Sequence, residues 1–185
     1  MSGRLGRWKP TTTEERLDRL ESLAAIRQLA MRYALALDSR NIGDLVALFA
    51  PDVRVGRDRT GRDALHAWYD EAMRGPRSSV HFVVNHIIDF DDAEHATGIV
   101  YCRDELERPE SGEWHVGALQ YWDTYDRYDG DWCFTRRKFH RWYLADAMTR
   151  PEHGAGVNSD GHDPLFAHQL PEAFTSWHEF WARGS

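Results

Sequence analysis

The chain has 185 residues, of which 42% are hydrophobic and 29% charged, the balance of an ordinary single soluble domain. A net charge of −7 gives no global basic field for nucleic acid, and the short Arg136-Arg137-Lys138 run does not reverse that. No run of about 18 apolar residues could cross a membrane, and "MSGRLGRWKP" lacks the apolar core of a signal peptide, so a cytoplasmic protein is expected.

Residues 1–13 read as a loose arm. Thr11 with Glu14, or Thr12 with Glu15, offers a capping box. Leu17, Leu20, Leu23, Ile26, Ala30, Tyr33 and Leu37 then recur at helical spacing, which predicts a long helix to about Leu37. "DSRNIGD" breaks it, and a short helix in "IGDLVALFA" stops at Pro51. "PDVRVG" reads as a short strand. "TGRDALHAWYDEAMRG" reads as a third helix with Ala64, Leu65, Trp68 and Ala72 inward. The period then switches to two, predicting strands over 80–90, 95–107, 114–128 and 131–144. Asp129-Gly130 is the strongest hairpin signal, because a type I′ turn needs positive φ at both central residues. Residues 145–170 are irregular, and "LPEAFTSWHEFWARG" predicts a terminal helix.

Helices followed by strands imply an α+β domain. A curved, mostly antiparallel sheet wrapped over the helices would form a cone open at one end. The domain spans 14–145, and the aromatic-rich extension 146–185 is expected to close the pocket or cover a subunit contact, with Phe166 as a pocket candidate. Cys102 and Cys133 lie in strand-like contexts and read as free thiols of a reducing compartment. The ten histidines are scattered without HxH or HExxH spacing, and there is no CxxC pair. There is also no phosphate-binding Gly-rich loop and no Gly-x-Ser-x-Gly elbow, so neither a metal nor a cofactor is expected.

"AAIRQLAMRYALALDSRNIGDLVALFAPDVRV", "HFVVNHIIDFDDAEHATGIVYCRDEL" and "YDRYDGDWCFTRRKFHR" together resemble the SnoaL-like group of the nuclear-transport-factor-2-like cone-fold superfamily. Within it the chain is most similar to bile acid 7α-dehydratases, with scytalone dehydratase more distant. The resemblance implies a cone of N-terminal helices packed in the curved sheet. It also implies a small-molecule substrate and assembly through the outer sheet face, a trimer being favoured over a dimer. It maps a catalytic Tyr and Asp onto Tyr33 and Asp38, a His onto His81, an acid onto Asp104 and a basic residue onto Arg141. A pocket Tyr of the relatives falls near Arg57, where the substrate's polar contact must differ. Trp68, Tyr121, Arg57, His140, Arg141 and Phe166 are the candidate substrate-binding residues.

Elimination chemistry suits this set. A β-elimination needs a base for the proton beside a carbonyl, and a carboxylate that fixes the tautomer of a His raises its basicity. A Tyr is a neutral donor to a developing oxyanion. Asp38 at a helix C-terminus faces the negative end of the macrodipole, an arrangement that costs roughly 0.3–1 kcal/mol and calls for a partner such as His81. Tyr33 and Asp38 stand about 140° apart on a regular helix, so they converge only if the helix ends or distorts between them.

Each residue also has a plainer reading. Tyr33 fits a core, Asp38 a turn cap, and Asp104 a surface pair with Arg103 or Arg141. Strict alternation sets His86 on the face opposite His81, as a structural residue, unless a bulge intervenes. It likewise sends His140 and Arg141 to opposite faces, with His140 an alternative base. Dehydration leads the functional readings. A formaldehyde-releasing retro-aldol cleavage of a diaryl diol, an isomerase or cyclase, and a non-catalytic ligand-binding cone are the alternatives.

Overall fold

The fold, taken from a computed structural model, is described for residues 8–108, 110–147 and 175. Helix α1 spans Thr13–Asp38. Its start is the second of the two capping boxes: Glu15 N donates to Thr12 Oγ1 while Glu15 Oε2 accepts from Thr12 N, both at 3.1 Å. Ile26, Leu29, Ala30, Tyr33, Ala36 and Leu37 form its buried stripe, whereas Leu17 and Leu20 of the first turns remain exposed. The chain leaves the helix through Arg40 at φ 58°. Asn41 then caps α2 (Ile42–Ala47) by accepting from Asp44 N.

A small hairpin of β1 (Arg54–Val55) and β2 (Arg59–Thr60) replaces the single short strand expected there. Helix α3 covers Arg62–Ala72. It buries Leu65 and Tyr69, while Trp68 is 42% exposed. Strands β3 (Ser78–Phe90), β4 (His95–Glu107), β5 (Trp114–Tyr128) and β6 (Asp131–Asp146) follow as one antiparallel sheet in chain order. Their bounds lie within two residues of those expected from alternation. Asp129 and Gly130 both take positive φ, 50° and 91°, and join β5 to β6 as a two-residue hairpin.

Register shifts in the sheet's two edge strands bend it around α1. In β3 the pairing slips between Val83 and His86. In β6 it slips between Phe134 and Arg136, and again between Arg141 and Tyr143. An extra residue in an edge strand increases its twist and coil. α1 packs across both edges, β3 and β6, and so lies inside the curve. Phe134 N donates to Leu48 O and Ala50 N to Phe134 O, which ties the segment after α2 to the β6 edge. Tyr33, Phe49, Tyr69, Tyr121, Tyr125 and Phe134 fill the core between helices and sheet as edge-on and tilted ring pairs. Cys102 and Cys133 are buried free thiols. Phe166 lies outside the described residues, as does the expected terminal helix apart from Thr175, which is helical.

Candidate active site

A cavity of about 260 Å³ opens between α1, α3 and the concave face of the sheet. Its lining is chiefly apolar and aromatic: Leu37, Trp68, Tyr69, Leu119, Tyr121 and Phe139. Set into that wall are His81, Asp104, Arg141 and His115.

Asp38 is the last residue of α1 and reaches across to the start of β3. Its Oδ1 lies 2.6 Å from His81 Nδ1 and accepts from Ser79 Oγ at 3.0 Å; its Oδ2 accepts from His81 N at 2.7 Å. Burial works against the ionised carboxyl, but the bonds and charge from His81, with Ser79, outweigh it and hold the pKa below the ordinary value. A carboxylate only accepts, so Nδ1 carries a proton, and in the neutral imidazole Nε2 is then the nitrogen with the free lone pair. Arg40 locks the surrounding turn by donating to Ser79 Oγ, Leu37 O and Pro76 O. Tyr33 and Asp38 do not converge. Tyr33 lines the cavity floor one turn back, and Asp38 stands behind the His81 ring rather than on the wall.

The Tyr33 hydroxyl is 3.0 Å from that of Tyr69. Burial raises the pKa of Tyr33 and pushes Tyr69 and Tyr121 well above the usual phenol value, so all three remain neutral hydroxyls. Beneath them lies a residue that sequence analysis assigned to a short basic run. The Arg137 side chain is 3% exposed and forms a two-pronged pair with Asp123, at 2.9 and 2.7 Å. Its guanidinium carbon stands 4.2 Å from the ring centres of Tyr33, Tyr121 and Phe134. Although burial opposes it, the Asp123 carboxylate raises the Arg137 pKa and keeps the group charged. Tyr125 donates to Asp123 at 2.8 Å, and His86 Nε2 lies 3.0 Å from the Tyr125 hydroxyl.

Asp104 and Arg141 form a second buried pair, at 3.0 and 2.9 Å, with side chains 2% and 5% exposed. Gly117 separates their strands, and a Cβ there would overlap Asp104 Oδ1 and Arg141 Nη1. The surface reading of Asp104 is thereby corrected. Both its oxygens are held by Arg141, so it is not an open base.

Three further expectations change. The β3 bulge puts His86 on the same face as His81, inside the core rather than outside. His140 faces away from the cavity: it stacks on Trp122 at 4.1 Å, and burial, with Lys138 and Arg136 pushing the same way, lowers its pKa. Arg57 is exposed in the β1–β2 turn and does not line the cavity. Trp68 and Tyr121 do line it. Tyr69 and His115 were not anticipated, although the helical spacing of Tyr69 from Leu65 and the period of β5 both carried the signal. Among the described residues no group of three or more His, Cys, Asp or Glu is arranged to hold a metal ion, and no helix is long and apolar enough to cross a membrane.

The model of the SnoaL-like domain matches residues 18–138. The chain belongs to this family. No curated protein sequence matches it. Solved structures resembling this SnoaL-like chain include a protein assigned as a scytalone dehydratase from Novosphingobium aromaticivorans, 22% identical over 84% of this chain and 97% of that one, with a TM-score of 0.65. Another is the hexachlorocyclohexane dehydrochlorinase LinA-type3 from Novosphingobium barchaimii, 23% identical over 74% and 99%, also with a TM-score of 0.65. At such identities the likeness establishes the cone fold of the SnoaL-like chain and leaves its chemistry to the residues.

Proposed function

We propose that this SnoaL-like chain is a cofactor-independent lyase that eliminates water from an apolar cyclic or aromatic substrate bearing a hydroxyl β to a carbonyl. The observation that carries this reading is His81 on the wall of an aromatic cavity, backed by Asp38 at 2.6 Å. His81 Nε2 takes the proton from the carbon beside the carbonyl, and that electron pair passes to the carbonyl oxygen. The neutral hydroxyls of Tyr33, Tyr69 and Tyr121 are the donors on hand for the oxyanion, and the Arg137 charge beneath the Tyr33 and Tyr121 rings favours it electrostatically. Collapse of the enolate forms the double bond and expels the β-oxygen, which regains the proton from the imidazolium and leaves as water. Asp38 holds the tautomer and offsets the imidazolium charge. The Asp104–Arg141 pair holds the stretch of sheet beside His81.

The fitting titratable pair favours an enzyme over a passive binding cone. Phe82, Val84 and Ile87, exposed on the convex face, support self-association through the outer sheet. The test is a panel of β-hydroxy alicyclic ketones and lignin-type aryl diols incubated with the protein and read by mass. Loss of water that vanishes in His81→Ala, with the fold retained, is the expected result. Loss of formaldehyde instead would establish the retro-aldol reading. Turnover unchanged in His81→Ala would overturn the assignment of the base.

A further inference from the structure

His115 is used by nothing in the reaction just described, yet it sits on the cavity wall. It is 3% exposed, and its Nδ1 has no hydrogen-bond partner among the described residues. An unpartnered nitrogen on a buried ring is an unfavourable core element, and a phenyl ring would fill the same space without it. The position of His115 in the sheet is well defined. His81, Asp104 and Gly117 are register partners across β3, β4 and β5, and Ser79, Leu106 and His115 form the next inward-facing row. His115 therefore lies two strands across and two residues along from His81, a Cα separation of about 12 Å in a regular sheet. Both imidazoles line one cavity on the inward face of the sheet, with Asp104 and Leu106 of β4 between their positions.

We propose that His115 is a specificity-determining residue that hydrogen-bonds a second, neutral oxygen of the substrate, a hydroxyl or carbonyl one to two rings away from the reacting carbon. This deepens the lyase reading and rests on it for the identity of the reacting end. Nδ1 is sealed within the wall, so the ligand's oxygen would bond Nε2, the ring nitrogen left to the cavity. The oxygen is neutral because Glu107, 3.7 Å from the exposed Arg77, and Glu110 line the same end of the cavity with Arg108, and these two carboxylates disfavour a third. An imidazole can donate to or accept from a neutral oxygen, which admits both a hydroxyl and a carbonyl.

The test is calorimetric binding of a matched probe pair, 4,4′-dihydroxybiphenyl and 4-hydroxybiphenyl, to the full chain and to His115→Phe and His115→Asn. The wild type is expected to prefer the diol by about fivefold, the worth of one ordinary hydrogen bond. His115→Phe should abolish the preference and leave Tm equal or higher, because it removes an unpartnered polar atom. His115→Asn should keep part of the preference. A preference unchanged in His115→Phe, failure of the wild type to bind either compound, or tighter binding of 4′-hydroxybiphenyl-4-carboxylate than of the diol would each overturn the proposal. These readouts do not depend on turnover. Failure of the lyase reading would instead show as intact substrates in the mass assay, with the binding preference still present.

Discussion

Replacing Arg137 with Met tests whether the buried ion pair organises the cavity floor. The substitution keeps much of the side-chain volume but leaves the Asp123 carboxylate, 0% exposed, with the Tyr125 hydroxyl as its remaining donor. Breaking a buried pair by removing one partner costs roughly 3–5 kcal/mol, most of it from the uncompensated charge. Loss of the cation beneath three rings adds to this rather than offsetting it. At roughly 2–4 °C per kcal/mol for a domain of this size, Tm should fall by about 6–20 °C. Removing both charges in Arg137→Met/Asp123→Leu should recover most of that loss, because no unpaired charge remains. The assay is urea unfolding of the wild type, both single variants and the double variant as a thermodynamic cycle. A cost below about 1 kcal/mol for Arg137→Met would refute the assignment of a buried, uncompensated charge. So would a double variant no better than the sum of the singles.

Three other outcomes follow from the same geometry. Asp38→Asn keeps the size of the side chain but no longer dictates the His81 tautomer; kcat should drop by about 10²–10⁴-fold with a small change in Tm, measured by steady-state kinetics beside a melting scan. His86 is held down to about 4 by burial, with Arg137 reinforcing and Asp123 opposing. The unfolded chain thus binds a proton at His86 that the folded chain refuses, and its contribution to stability, full above pH 6.5, should fall by about 1–2 kcal/mol by pH 5. Urea midpoints for the wild type and His86→Phe at the two pH values would show that difference shrinking in the variant. Gly117→Ala forces a methyl into the Asp104–Arg141 pair and should cost about 1–3 kcal/mol, whereas alanine at Gly43, an exposed residue in the first turn of α2 whose Cβ would meet only an Asn41 oxygen at 3.7 Å, should not.

Local signals carried much of the molecule. The Thr12–Glu15 box, the four strand bounds and the Asp129-Gly130 turn depend on neighbouring residues, and each was legible in the sequence. The family resemblance set Asp38 and His81 beside each other as candidates before any coordinate. What escaped was which way the strands turned their side chains. Strict alternation from the buried Phe134 would send Arg136, Lys138 and His140 inward. The extra residue at Thr135, whose hydroxyl donates to Thr124 O, reverses the faces and brings in Arg137, Phe139 and Arg141 instead. The bulge in β3 does the same for His86. A bulge has no marker of its own within the strand. It is set by cross-strand partners remote in sequence and by the curvature needed to close the sheet over α1. Composition, elements and candidate chemistry were therefore properties of the sequence. The Arg137 cage, the Asp104–Arg141 pair and the place of His115 on the wall were decided by the tertiary structure, because register alone determines which residues of adjacent strands share a face.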